Sequence, residues 1–213
     1  MTEENHTPEY GYQDIERYRG INLAKKFAKE GDMNQLEKSL TSFGENLGMD
    51  AKDAETAAKA QMNSPQAIDG YIKAFEGNYQ EAMSSTKVGD FLNGKHATKL
   101  EKLMDEETLE KAKSHLNEYA DMEYGEANYK LNMVQQEIQK YKTMLESNYV
   151  SDEEKEEMRG DIERIQEEQL KYARIVQPIR DAEQEYLKDL ESPVNQEAKR
   201  EEYKQLYSDN PGQ

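Results

Sequence analysis

The chain has no cysteine, no tryptophan and only five prolines. Without cysteine there can be no disulfide, no thiolate metal ligand and no cysteine nucleophile. Five prolines and twelve glycines in 213 residues suit long uninterrupted helices better than a turn-rich β fold. Apolar residues are also scarce, at 35% of the chain against about 45–50% in an ordinary globular domain. Long two-helix structures need fewer, because only a narrow seam of each helix is buried. No stretch approaches the ~18 consecutive apolar residues of a membrane-spanning helix. The start, Met1-Thr2-Glu3-Glu4-Asn5-His6, is polar and acidic, with no apolar region behind it as a secretory signal would have. The expectation is a cytoplasmic protein with no membrane insertion.

Positive charge is the next shortage. Lysine and arginine total 28 against 45 acids, a formal net charge of −17. Residues 1–105 carry 18 acids and 13 bases (net −5), and residues 106–213 carry 27 and 15 (net −12). A phosphate backbone or an anionic membrane would be repelled by the second half, so no direct nucleic-acid contact is expected. A basic protein partner fits the charge.

Helical spacing dominates what is present. Residues 1–12 lack periodicity and read as a flexible tail. Ile15, Tyr18, Ile21, Ala24 and Phe27 open a helical face, which Gly31 closes. Asp32 caps the next helix, with Gln35 placed as in a capping box. Asp50 opens an alanine-rich helix, and Ser64-Pro65 is an N-cap followed by proline in the first turn. A further helix carries Ile68, Ile72, Phe75, Tyr79 and Met83. After Gly89 and Gly94 a short one carries Leu100, Leu103 and Met104. Residues 13–104 therefore read as a small bundle of four or five helices. Two loosely similar stretches, Lys26–Asp32 and Lys73–Asn78, lack the other signatures of a helical-repeat array.

From Asp105 the spacing predicts one helix to about Asn148. Its apolar seam is Leu109, Ala112, Leu116, Ala120, Tyr124, Ala127, Leu131, Val134, Ile138, Tyr141 and Leu145. Consecutive steps of four between Leu116 and Tyr124 form a stutter, which locally unwinds a coiled coil. Ser151 and Glu154 form a capping box after a turn near 148–151. The return seam is Met158, Ile162, Ile165, Gln169, Tyr172, Val176, Ile179, Glu183, Tyr186 and Leu190. The pairs Leu145–Met158, Tyr141–Ile162, Ile138–Ile165, Leu131–Tyr172, Ala127–Val176 and Tyr124–Ile179 share a constant sum of residue numbers. One antiparallel register requires that. The expected fold is thus all-α: a small N-terminal helical bundle, then a coiled-coil-like helical hairpin over 105–191. A short C-terminal helix and tail over 192–213 follow Ser192-Pro193. The register sets Gly125 opposite Pro178. Proline removes a backbone donor and clashes with the carbonyl of Arg174, while glycine lowers helix propensity. A kink or hinge is expected at that level.

Catalytic patterns are mostly missing. Gly89-Asp90-Phe91-Leu92-Asn93-Gly94-Lys95-His96 has the spacing of a phosphate-binding loop. It carries His96 where a magnesium-binding hydroxyl should be, and no hydrophobic strand precedes it. It reads as a helix-breaking loop. The histidines His6, His96 and His115 form no metal-binding pair and read as surface or boundary residues. No calcium loop or G-x-S-x-G elbow occurs. No catalytic, cofactor-binding or metal residue is assigned. Glu183 is the unusual acid: it lies on the seam opposite Ala120, where water or a base from the N-terminal bundle would have to satisfy it.

Fourteen tyrosines are numerous, and several sit among acids, as in Glu118-Tyr119-Ala120-Asp121-Met122-Glu123-Tyr124. Tyrosine is enriched in interface cores, yet it equally fills helix boundaries with its hydroxyl in water. On the functional reading, Glu118, Tyr119, Asp121, Glu123 and Tyr124 form a contact surface. Leu170 and Ala173, apolar but off the seam, call for another helix, either the C-terminal one or a second copy of the chain. The expected function is a non-enzymatic protein–protein interaction or scaffold protein, with the acidic hairpin as a docking or dimerisation arm. One alternative is an acidic inhibitor that imitates nucleic acid toward a basic partner. The other is a helical enzyme whose site is assembled from distant residues.

Overall fold

In the computed structural model of the chain, residues 11–18, 20–188 and 196–208 are described. The tail before Gly11, the Ser192-Pro193 restart and the end from Asp209 lie outside the described residues. Among those described the protein is all-helical, with ten α-helices, one 3-10 turn and an isolated bridge between Lys87 and Glu123. No helix among them is long and apolar enough to cross a membrane. The chain divides into two units, Met1–Thr86 and Lys87–Gln213.

Unit one contains α1 (Tyr12–Tyr18), α2 (Gly20–Glu30), α3 (Met33–Asn46), α4 (Ala51–Gln61) and α5 (Pro65–Ser85). The starts of α3, α4 and α5 follow from a short polar side chain that meets an otherwise unpaired helix N–H. Asp32 accepts from Gln35 N at 3.1 Å, Asp50 from Asp53 N at 2.9 Å and Ser64 from Ala67 N at 3.1 Å. Gly31 and Gly48 adopt φ of +74° and +93° after α2 and α3, a left-handed closure that strains any residue with a β-carbon. The core joins Ala24, Leu36, Leu40, Phe43, Ala58, Ile68 and Ile72.

Unit two contains the 3-10 turn Val88–Leu92, α6 (Gly94–Leu103), α7 (Glu106–Glu118), α8 (Tyr124–Leu145), α9 (Asp152–Lys188) and α10 (Gln196–Leu206). The 3-10 turn packs on α7, and α6 packs on α9 and α10. Residues 87–104 thus belong with the second unit, whereas the sequence pattern assigns them to the N-terminal bundle. Helical spacing shows how a segment folds but not which neighbour covers its apolar face.

The single helix predicted from Asp105 to Asn148 is interrupted. Helix α7 ends at Glu118 and α8 begins at Tyr124. The cause is the chain around Gly89, which lies against the break. Val88 N donates to Met122 O at 2.8 Å, Gly89 N to Ala120 O at 3.0 Å, and Lys87 Nζ to Asp121 O at 2.9 Å. Backbone groups that a continuous helix would use internally are given to another segment. A β-carbon on Gly89 would stand 2.8 Å from that of Ala120, so glycine is what permits this approach. The stutter marks the position of the break. Gly125 consequently lies in the first turn of α8, and Pro178 lies inside α9, which runs through it as one helix.

Helices α8 and α9 pack along each other. Buried on α8 are Tyr124, Ala127, Leu131, Val134 and Ile138. Buried on α9 are Ile162, Ile165, Tyr172, Ile175, Val176, Ile179 and Ala182. Ser151 and Glu154 cap the start of α9 reciprocally: Ser151 N donates to Glu154 at 2.9 Å, and Glu154 N to Ser151 Oγ at 3.3 Å.

Candidate functional site

Buried and half-buried polar side chains of unit two hold α6 and α10 to α9. His96, in the first turn of α6, is fully buried, which corrects its reading as a surface histidine. Its Nε2 lies 2.6 Å from Oε2 of the buried Glu183 on α9. The base expected for Glu183 is therefore His96, and Ala120 is occupied by Gly89 instead. A carboxylate at the first turn of a helix is also favoured by the backbone dipole. The edge of Phe91 meets His96, with ring centres 4.8 Å apart and an interplanar angle of 86°. Phe91 reaches Tyr124 of α8 at 5.7 Å. Burial, the largest influence, raises the Tyr124 hydroxyl above its ordinary pKa, and Arg180 opposes it. The His96 ring has zero exposure. The pair fastens α6 to α9.

A second group fastens α10 to α9. Tyr203 OH donates to Asp181 at 2.9 Å and Lys199 Nζ donates to the same carboxylate at 3.0 Å. Arg174 Nε and Nη2 donate to the carbonyls of Leu206 and Ser208 at 2.7 and 2.8 Å. Leu206 supplies one of the last, otherwise unpaired acceptors of α10, and Ser208 lies two residues beyond it. In return Tyr207 OH donates to the Arg174 carbonyl at 2.6 Å. That carbonyl is the one Pro178 cannot serve, because it lies four residues before a residue with no N–H. The proline defect in α9 is thus filled from α10. Burial raises the pKa of both Tyr203 and Tyr207, so both hydroxyls stay protonated as donors. Sequence reasoning named the Arg174 carbonyl but not its donor. The signal available was a tyrosine on a short helix after a proline-containing one, and no periodicity rule reads that.

The residues of the tyrosine–acid stretch do not share one face. Glu118, Asp121 and Glu123 are exposed, while Tyr124 is buried in the cluster above. Tyr119 is half-buried, its ring tilted against His115 at 5.1 Å and under Lys171 Nζ at 4.9 Å. His115 Nε2 donates to the Lys171 carbonyl at 3.1 Å. Burial is the main cause that lowers the His115 pKa from 6.5. Leu170 and Ala173 are half-buried, and the contacts of α10 fall beside them at Arg174, Gln177 and Asp181. Among the described residues of this unit, the large apolar side chains left in solvent are Tyr129 (64%), Met133 (47%) and Tyr149 (99%). Among the described residues no three His, Asp or Glu side chains are grouped so as to hold a metal ion.

No protein-family model matches the chain, and neither a curated protein nor a solved structure matches it.

Proposed function

We propose that the protein is a non-enzymatic interaction or scaffold protein whose α8–α9 pair serves as an antiparallel, coiled-coil-like docking arm. The antiparallel register is supported by Lys130 over the Tyr172 ring, by the Arg180–Asn128 hydrogen bond and by the Val134–Ile138–Ile165 cluster. The observation that carries the docking role is the position of the exposed apolar side chains. Tyr129 and Met133 lie one turn apart on α8, off its buried line, and Tyr149 lies in the α8–α9 connection. Around them the helix surfaces carry exposed ion pairs such as Lys130–Glu126 and Arg159–Glu156, which contribute only about 0–1 kcal/mol each. Interfaces centre on tyrosine and methionine with charge at the rim, a composition that the Tyr129–Met133 turn of α8 has with Lys130–Glu126 beside it.

In this reading the arm bends outward of the level of Gly125 and Pro178, where α10 holds α9 through Tyr207 and Arg174. The excess of acids on α9 suits a basic partner.

The test compares the full chain with a Tyr129→Glu, Met133→Glu, Tyr149→Glu variant. All three positions are exposed, so folding should be unchanged by circular dichroism. Quantitative affinity capture from the native source should lose specific partners, and light scattering should report loss of any dimer. An unchanged partner set together with an unchanged mass would rule out the arm as the docking element.

A further inference from the structure

Unit one contains a cleft that the arm reading does not use. It lies between α2, α3 and α5 and encloses about 440 Å3, within the ~300–1,000 Å3 of ligand clefts. Its floor is Leu36, Ile68 and Ile72, three residues of the unit's own core. Met33 and Met62 line it as well, and Met33 is 43% exposed. Thioether side chains adapt readily to an incoming apolar surface.

The rim is cationic by one charge. Lys25 and Lys29 from α2 and Lys73 from α5 border the cleft together with Asp69 and Glu76 of α5, in a protein of net charge −17. Lys25 bridges from α2 to Glu76 on α5, and Lys73 pairs with Asp69 of its own helix at 2.7 Å. Both are exposed pairs, weakened by water and salt, so an entering carboxylate can replace either acid. Lys29 has no carboxylate partner among the described residues.

We propose that this cleft receives an acidic amphipathic helix from a partner protein. Its apolar side chains at i, i+3, i+4 and i+7 would lie over the Leu36–Ile68–Ile72 floor, with carboxylates along Lys25 and Lys29. A trough walled by helices offers ridges at the spacing a helix needs.

The full-length chain, labelled with 13C in its methionine methyls, is titrated with two synthetic helical peptides of about 16 residues, a length at which helices begin to hold. Both carry the same leucine stripe, one flanked by glutamate and the other by lysine. Dodecanoate is the third probe. The glutamate peptide should shift the Met33 and Met62 methyls and bind at least about tenfold tighter than the lysine peptide, a difference of about 1.4 kcal/mol. Lys29→Glu should erase that preference, and Met33→Glu should abolish binding with the helical content intact. Equal binding of the two peptides, retention of binding by Met33→Glu, or no methyl shift with any probe would each overturn the proposal. So would saturation by dodecanoate while the glutamate peptide leaves both methyls unmoved.

Discussion

The Tyr207 hydroxyl should matter only because residue 178 is proline. In the native chain the Arg174 carbonyl has no helical donor from position 178, and Tyr207 donates to it at 2.6 Å. Tyr207 is 6% exposed, so water cannot freely take over. Tyr207→Phe keeps the ring and leaves a carbonyl short of its donor, which costs about 1–3 kcal/mol. Pro178→Ala restores an N–H that can reach the same carbonyl. In that background Tyr207→Phe should cost about 0.5 kcal/mol or less, the residual worth of a redundant hydrogen bond. The coupling energy is then about 0.5–3 kcal/mol, at or above the ~0.5 kcal/mol limit for independent sites. Urea unfolding of the four proteins, followed by helical circular dichroism, gives the cycle. With m of about 1–3 kcal/mol/M, a 2 kcal/mol loss shifts the midpoint by roughly 0.7–2 M. Hydrogen exchange on α10 peptides assigns the loss to that helix. If Tyr207→Phe costs the same in both backgrounds, the hydroxyl is not a replacement for the proline's missing donor.

His96→Leu and Glu183→Leu should each cost about 3–5 kcal/mol, because either breaks a buried pair, while the double variant should recover at least half of the larger loss. Strictly additive losses in thermal unfolding would refute the pairing. Gly89→Ala should destabilise unit two by about 1–3 kcal/mol through overpacking against Ala120, and Ala120→Gly should relieve it; the same denaturation assay checks both. His115 is held below its ordinary pKa of 6.5 by burial, so the folded state binds its proton less readily than the unfolded chain does. Its contribution is therefore complete above pH 6.5 and is lost as pH falls through that value toward the folded pKa. An NMR titration of its ring should give a midpoint below 6.5; a midpoint at or above 6.5 would refute the burial argument.

Local rules made much of the helix punctuation legible. Asp32, Asp50, Ser64, Asp105 and Ser151 each cap the helix their spacing marks, because a cap is settled within four residues of chain. The all-helical class follows from composition in the same way. The break at Tyr119–Glu123 was legible only as a stutter. Its cause, the Gly89 backbone, lies some thirty residues away, and nothing in residues 116–124 encodes it. His96 fails for the same reason. A histidine after Gly94-Lys95 looks exposed until α9 brings Glu183 over it. The Tyr207–Arg174 bond needs two facts at once, a proline and the docking of a separate helix, and only the second is invisible in sequence.

These unanticipated contacts share a physical origin. A chain with 35% apolar residues has too little hydrocarbon to seat every short helix by burial alone. Helix α9 binds α6 through His96–Glu183 and α10 through Asp181, Arg174 and Gln177, using groups that must find their partners to be tolerated inside. None of the buried side-chain polar atoms among the described residues lacks a hydrogen-bond partner. Such contacts add little net stability, since replacing a buried pair with apolar residues is often neutral. They do impose register: a helix that slides by one turn leaves a charge or a carbonyl unpaired and incurs the whole desolvation penalty. Along α8 and α9 the opposite arrangement holds, with an apolar seam inside and exposed ion pairs outside. An apolar seam tolerates small shifts that a buried ion pair does not. The junction of α6, α9 and α10 should therefore be the rigid part of unit two and the outer lengths of α8 and α9 the yielding part. The docking role proposed for Tyr129, Met133 and Tyr149 calls for that distribution.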